Sequence, residues 1–134
     1  MPLVSKTGLR LAGLALIGLS EWPALAGNET PASLETIGEY AGVWQVTDAE
    51  ATRACAVTLL DDEAIGGYAI DVAPDCAGKF PVMDEIAAWR MFENGDIAFA
   101  DGARTERLRF YTPDEAYITV EEIDGIARLL PVSQ

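Results

Sequence analysis

The stretch IAAWRMFENGDIAFADGARTERLRF, residues 86–110, decides the fold class of this chain. Apolar residues recur at every second position along it, and that period of two is typical of β-strands with one buried face. Asn94-Gly95 and then Asp101-Gly102 interrupt the pattern. Both pairs are turn signals, and Asn-Gly is the strongest short hairpin signal because both residues tolerate the positive φ of a type I′ turn. The stretch therefore predicts three consecutive antiparallel strands.

The same pattern continues on both sides of this stretch. Strands are predicted at eight places: 40–47, 54–60, 68–72, 86–92, 96–100, 105–110, 116–121 and 126–131. Turn signals separate most of them, and helical patterns long enough for βαβ crossovers are missing. We therefore predict an all-β fold, an eight-stranded antiparallel up-and-down barrel, which removes exposed sheet edges by closing on itself.

The alternation also predicts which side chains face the barrel interior. Trp44 and Trp89 are expected to fill the core rather than to form a ligand cage. The other predicted inward positions are Cys55, Val57 and Leu59, Met91, Ile97 and Phe99, Leu108 and Phe110, and Ile118 with Val120.

The first 26 residues have the layout of a secretory signal peptide. Lys6 and Arg10 supply a basic start, residues 11–19 (LAGLALIGL) are apolar, and residues 24–26 (ALA) place small side chains before a cleavage site. The alternative is a membrane anchor, but a bilayer requires about 20 apolar residues and this run is shorter. We therefore expect cleavage, no membrane insertion afterwards, and a protein that is periplasmic or secreted and begins at Gly27.

An arm and a short helical turn, residues 27–39, are expected between the cleavage site and the barrel domain of residues 40–134. Ser33 is a suitable N-cap for the helical turn, with Leu34 and Ile37 on one side. The arm before it is polar and without hydrophobic periodicity, and it consists of Gly27, Asn28, Glu29, Thr30 and Pro31.

The chain after residue 26 contains two cysteines, Cys55 and Cys76. An exported protein meets an oxidising compartment, so an even pair predicts a disulfide bond. That bond would close a loop of about 20 residues and contribute roughly 3 kcal/mol in the chain-entropy view. The alternative, a reactive thiol, lacks both a histidine and a C-x-x-C motif.

The chain is strongly acidic, with 22 Asp and Glu residues against 9 Lys and Arg residues and a formal net charge of −13. Nucleic acids and anionic membranes are bound through patches of Lys and Arg. The charge therefore argues against both as partners. It favours solubility and is compatible with a basic partner.

The sequence contains no histidine. Ser-His-Asp triads, Cys-His pairs and most zinc sites need one, so we expect a chain that is not an enzyme and binds no cofactor or metal. The alternative is catalysis or calcium binding by neighbouring carboxylates in residues 61–63, 84–85 or 121–122. These runs fall where turns are predicted, and successive strand residues point to opposite faces, so we disfavour it.

Taken in order, the motifs of this chain resemble a known family, the bacterial alkaline proteinase inhibitors, which block serralysin-type zinc metalloproteases. An outer-membrane lipoprotein with protease-inhibiting activity belongs to the same family. The motifs that carry the resemblance are Leu34-Glu35, Gly42-Val43-Trp44, Cys55, Gly67-Tyr68, Cys76, Trp89, Asn94-Gly95, Asp101-Gly102, Phe110-Tyr111 and Asp124-Gly125.

The resemblance implies an eight-stranded barrel with one disulfide that acts as a monomer on a secreted, serralysin-like zinc metalloprotease. It also implies a mechanism in which the first residues enter the protease cleft and the new N-terminus approaches the catalytic zinc. In this sequence that arm is residues 27–31 (GNETP), which differ letter by letter from the arms of the best-known members.

Two other functions stay open at this point. The barrel is also suited to be a periplasmic binding module for a small apolar ligand, although its four large aromatic residues, Trp44, Trp89, Phe99 and Phe110, are available to fill the interior. Alternatively, the acidic surface is suited to bind a basic envelope enzyme such as a lysozyme.

Overall fold

The computed structural model describes residues 30–132. The predicted signal peptide, and Gly27, Asn28 and Glu29 of the predicted arm, lie outside the described residues. From Pro31 onward the chain forms one compact unit. Its elements in chain order are α1 (Leu34–Tyr40), β1 (Gly42–Asp48), β2 (Ala54–Ala64), β3 (Gly67–Val72), α2 (Cys76–Lys79), a 3-10 helix (Pro81–Glu85), β4 (Ile86–Met91), β5 (Ile97–Asp101), β6 (Glu106–Tyr111), β7 (Tyr117–Ile123) and β8 (Ile126–Pro131).

Within residues 30–132 the eight strands form one closed antiparallel barrel. Each strand pairs with the next along the chain, and β8 returns to β1, where Val46 is opposite Leu129. Short connections join most sequential strands as hairpins, which favours this up-and-down order, and the longer segment 73–85 joins β3 to β4. The predicted fold class and all eight predicted strands are confirmed.

Side chains from the inward faces of the strands fill the interior of the barrel. Trp89 is fully buried and Trp44 is 7% exposed, which confirms both tryptophans as core residues. Phe99 and Phe110 meet edge to face, with ring centroids 5.2 Å apart, a geometry that aromatic pairs prefer. The inward positions predicted on β2 and β6 are also buried, namely Cys55, Val57, Leu59, Leu108 and Phe110.

The prediction of which β7 side chains face the barrel interior is wrong. Val120 is 59% exposed, whereas Tyr117 is buried and belongs to the core. The indole of Trp44 meets the ring of Tyr117 edge to face at 5.9 Å, so the larger aromatic side chain takes the inward position. Ile118 and Val120 consequently belong to the opposite, outward-facing set of the strand.

The hairpin predicted at Asn94-Gly95 is present, but its turn is not type I′. Only Gly95 has a positive φ, 97°, and the loop is closed by a bond from the N–H of Phe92 to the carbonyl of Asp96. A loop of three residues needs just one left-handed residue, at its last position. Both residues of the Asp124-Gly125 pair have positive φ, 56° and 86°, as a type I′ turn requires.

Residues 73–85 form a segment for which the sequence patterns predicted no structure. It contains α2 and the 3-10 helix, both too short to show a helical period. The segment buries Phe80, and the predicted disulfide joins it to β2, with the Cα atoms of Cys55 and Cys76 5.3 Å apart. The disulfide prediction is therefore confirmed.

The predicted helical turn before the barrel is confirmed as α1. The hydroxyl of Ser33 accepts the N–H of Thr36 at 3.2 Å, as an N-cap should. Ile37 is buried, whereas Leu34, expected on the same side, is 68% exposed. None of the helices in the described part of the chain is long and apolar enough to cross a membrane.

Candidate functional site

The predicted arm reaches the barrel at Pro31. Pro31 forms an isolated antiparallel bridge with Phe92, and the N–H of Ala32 donates to the carbonyl of Met91 at 2.9 Å. The side chain of Pro31 is exposed, and Thr30 before it is half-buried. The base of the arm is therefore attached to the barrel at the end of β4.

Side chains from β6 and β7 contact the turn between β4 and β5, to which Pro31 is attached. The hydroxyl of Tyr117 donates to the carbonyl of Gly95 at 2.7 Å, and burial raises the pKa of this phenol, which keeps it protonated as a donor. The guanidinium of Arg109 lies 4.3 Å from the centre of the Phe92 ring and pairs with Asp96 at 3.1 Å. These contacts give the arm a rigid point of attachment.

A groove of about 310 Å³ lies between Pro31 and the hairpin formed by β2 and β3. Its walls are mostly apolar. We name it the Pro31 groove. The nine residues that line it are Pro31, Glu63, Ala64, Gly66, Gly67, Tyr68, Arg90, Met91 and Phe92.

Two contacts hold the hairpin against β4 and shape this groove. Arg90 donates from Nε to the carbonyl of Gly66 and from Nη2 to the carbonyl of Arg104, at 2.5 and 2.7 Å. Gly67 has a φ of +152°, and a Cβ placed there would lie 2.3 Å from the carbonyl oxygen of Trp89. The close approach of β3 to β4 therefore depends on a residue without a side chain.

Ile65 lies at the tip of this hairpin and is 67% exposed. Three exposed carboxylates precede it on β2, those of Asp61, Asp62 and Glu63. Among residues 30–132, none of these three forms a side-chain hydrogen bond or an ion pair. The hairpin therefore presents an apolar tip beside three carboxylates that form no ion pair within residues 30–132, and the nearby guanidinium of Arg90 bonds main-chain carbonyls instead.

A second groove, of about 300 Å³, lies between α1 and the turn after β4. Ser33, Thr36 and Tyr40 line one side of it, and Glu93 lies on the other. Met91 and Phe92 line both grooves, so the two are adjacent and Pro31 and Ala32 lie where they meet.

The acidic runs considered for catalysis or calcium binding are not brought together. Residues 61–63 lie on β2, residues 84–85 in the 3-10 helix and residues 121–122 on β7, which is not a neighbour of β2. All three runs were expected at turns. The runs at 61–63 and 121–122 instead lie on strands, because β2 and β7 continue beyond the stretch of alternating apolar residues. The described residues contain no group of three His, Cys, Asp or Glu side chains that could hold a metal ion.

A comparison with protein families matches residues 34–130 to a family described as protease inhibitor Inh. The chain belongs to this protease inhibitor family. The match begins at the first residue of α1 and includes nearly the whole barrel, so it confirms the family suggested by the sequence motifs. A search of curated proteins finds no match.

Membership of the Inh family implies a protease as the partner. The matched residues begin after Pro31, so the arm lies outside the matched part of the chain. Sequence reasoning named Pro31, which the structure attaches to the barrel, but it did not single out Ile65 or Arg90. A signal for Ile65 was present, since a single large apolar residue stands between the acidic run and the Gly66-Gly67 pair.

Proposed function

We propose that this Inh-family barrel inhibits secreted zinc metalloproteases of the serralysin type by inserting its N-terminal arm, residues 27–31, into the protease cleft. The observation that carries the proposal is the attachment of Pro31 and Ala32 to the end of β4. A base held by a rigid barrel reduces the conformational entropy that the arm loses on binding, and a proline there reduces it further.

The chemistry of the arm supports a zinc-directed mechanism. An α-amino group and the neighbouring carbonyl oxygen are ligands that zinc accepts, and together they would displace the metal-bound water that attacks the substrate. The inhibitor supplies no catalytic group of its own and acts by occupying the cleft. The α-amino group of Gly27 exists only after signal cleavage, so export to the periplasm or beyond would also activate the inhibitor.

The test compares the mature chain from Gly27 with a chain that lacks residues 27–29. The contacts of Pro31 and Ala32 remain in both, so both should show the same circular dichroism and melting temperature. We expect the shortened chain to lose inhibition of a serralysin-type protease, with an inhibition constant at least about a hundredfold higher. A serine protease provides the control, since neither chain should inhibit it.

Equal inhibition by both chains would show that the barrel surface inhibits without the arm. Failure of both against every metalloprotease would favour the second candidate function, binding of a basic envelope enzyme such as a lysozyme. The specific observation behind that candidate is the formal net charge of −13. The small-ligand alternative has less support, because aromatic rings occupy the barrel interior.

A further inference from the structure

The length of the arm limits how far the barrel can be from the protease. Residues 27–30 precede Pro31, and an extended chain spans at most about 3.6 Å per residue, so these four residues can bridge at most roughly 14 Å. If the arm reaches the zinc, as the proposed function requires, the surface around Pro31 must contact the lip of the protease cleft, that is, the protease surface that borders the cleft.

We propose that the Pro31 groove and Ile65 form a docking face that receives this lip, with an apolar side chain of the protease in the groove and a basic group beside it. This inference rests on the proposed function. The groove opens beside Pro31, and Tyr68 and Met91 give it apolar walls. Ile65, 67% exposed, adds apolar area next to the groove. The residues that contribute most to binding energy cluster near the centre of an interface, in well-packed pockets from which water is excluded, and an apolar groove beside an exposed apolar tip offers such a place.

The docking face is already formed in the free protein. Arg90 bonds the carbonyl of Gly66 and so holds the hairpin tip, while the absence of a Cβ at Gly67 lets β3 lie directly against β4. A preformed surface loses little conformational freedom when a partner binds. The groove can therefore accept the lip without rearrangement of the barrel.

The charge beside the groove indicates the chemistry of the lip. Asp61, Asp62 and Glu63 are exposed on the same hairpin and have no ionic partner among the described residues. Carboxylates at the edge of an interface increase the association rate with a basic surface and have less effect on affinity. The docking face therefore fits a lip with an apolar centre and a Lys or Arg side chain near it.

The test uses the intact mature chain, with its arm, against a serralysin-type protease. Ile65→Glu places a charge at the tip, and Ala64→Arg extends a long side chain across the groove. Both positions are exposed, so the melting temperature should stay unchanged. We expect each variant to raise the inhibition constant on the order of tenfold.

Val120→Glu is the matched control. Val120 is also a β-branched residue, 59% exposed, and it lies on β7, which two or more strands separate from the hairpin. This variant should change the inhibition constant less than about twofold.

Asp62→Asn combined with Glu63→Gln tests the charge, and these changes should slow association at low salt but not at high salt. An unchanged association rate at low salt would overturn the basic-lip part of the proposal.

The outcomes separate this inference from the proposed function. If the unaltered chain inhibits and Ile65→Glu and Ala64→Arg inhibit equally well, the docking face is wrong and the arm mechanism stands. If all three variants, including Val120→Glu, lose inhibition equally, the effect is not local to the hairpin and the docking face is also wrong. If the unaltered chain inhibits no metalloprotease, the proposed function fails and the docking face fails with it.

Discussion

The indole Nε1 of Trp89 donates a 2.8 Å hydrogen bond to the main-chain carbonyl of Leu60. The pairing of β2 with β3 shifts in register between Leu59 and Glu63, so this side chain bonds a carbonyl where the ladder is interrupted. Trp89 therefore links the barrel core to the hairpin that forms one wall of the Pro31 groove. The stability of the core and the shape of the proposed docking face depend on the same residue.

The first prediction concerns this bond. Trp89→Phe keeps an aromatic ring but removes the donor, so we expect the free energy of unfolding to fall by about 1–3 kcal/mol. Trp89→Ala should reduce it by about 3–5 kcal/mol because it also leaves a cavity. Urea denaturation measures both. A loss below about 1 kcal/mol for Trp89→Ala would contradict the burial of the ring.

The second prediction concerns the close approach of β3 to β4. Gly67→Ala would place a Cβ 2.3 Å from the carbonyl oxygen of Trp89 and in a left-handed backbone conformation. We expect a loss of more than about 1 kcal/mol in unfolding free energy. Gly102→Ala is the control, because its Cβ would meet nothing within 4 Å and it should be nearly neutral. Similar stability of the two variants would contradict this reading of the strand contact.

The third prediction concerns the disulfide. The bond between Cys55 and Cys76 spans a sequence separation of 21 residues. Its reduction should lower the free energy of unfolding by roughly 3 kcal/mol, because the unfolded chain gains freedom. Denaturation with and without a reductant measures this loss. Two free thiols in the exported protein, detected by mass spectrometry, would exclude the bond.

The fourth prediction is a dependence of stability on pH below 4. The hydroxyl of Thr52 donates to the carboxylate of Asp48, and with the N–H groups of Thr52 and Arg53 it lowers the pKa of Asp48 to about 2, from an ordinary value of 3.8. Because the folded-state pKa is the lower one, the ionised carboxylate stabilises the fold above about pH 4. That stabilisation should be lost as the pH falls towards 2.

Asp48→Asn tests this dependence through melting temperatures measured from pH 7 to pH 2. The variant should melt at a lower temperature at pH 7 and should lose less of its stability between pH 4 and pH 2 than the unaltered chain. Asp71→Asn, at an exposed position of β3, should follow the unaltered chain throughout. Parallel curves for Asp48→Asn and the unaltered chain would contradict the role given to the Asp48 carboxylate.

The fifth prediction concerns the position of the N-terminus. In the proposed mechanism, two residues added before Gly27 would displace the α-amino group from the zinc while leaving every barrel contact in place. We expect the inhibition constant to rise on the order of tenfold or more, since the base of the arm is fixed at Pro31. An extended chain that inhibits as strongly as the mature chain would argue that the free α-amino group does not ligate the zinc.

The sequence predicted all eight strands because their signals are local. Alternation with a period of two and turn dipeptides such as Asp124-Gly125 are both recognised from residues only a few positions apart in the chain. The disulfide was predicted for a different reason, since two cysteines in a chain expected to be exported permit one pairing. The helix α2 was not predicted because its four residues are too few to show a helical period.

The orientation of β7 and the type of each turn needed the tertiary structure. The β7 segment has apolar or aromatic residues on both faces, so Tyr117 and Ile118 are equally acceptable inward residues by pattern alone. Tyr117 faces inward because it packs against Trp44, which lies on β1, far away in sequence. In the same way, the strand pairing on either side of Gly95 selected a loop with one left-handed residue.

Local chemistry along the chain was sufficient for the strands, their closure into a barrel, the cysteine pair and the motifs of the inhibitor family. The contact between Pro31 and Phe92 was not accessible in that way, because these residues are far apart in sequence and no periodic pattern connects them. Closure of the barrel brings the end of β4 to Pro31 and places the tip of the β2–β3 hairpin beside it. The proposed docking face therefore exists only in the folded chain, since its walls come from segments that meet through strand pairing.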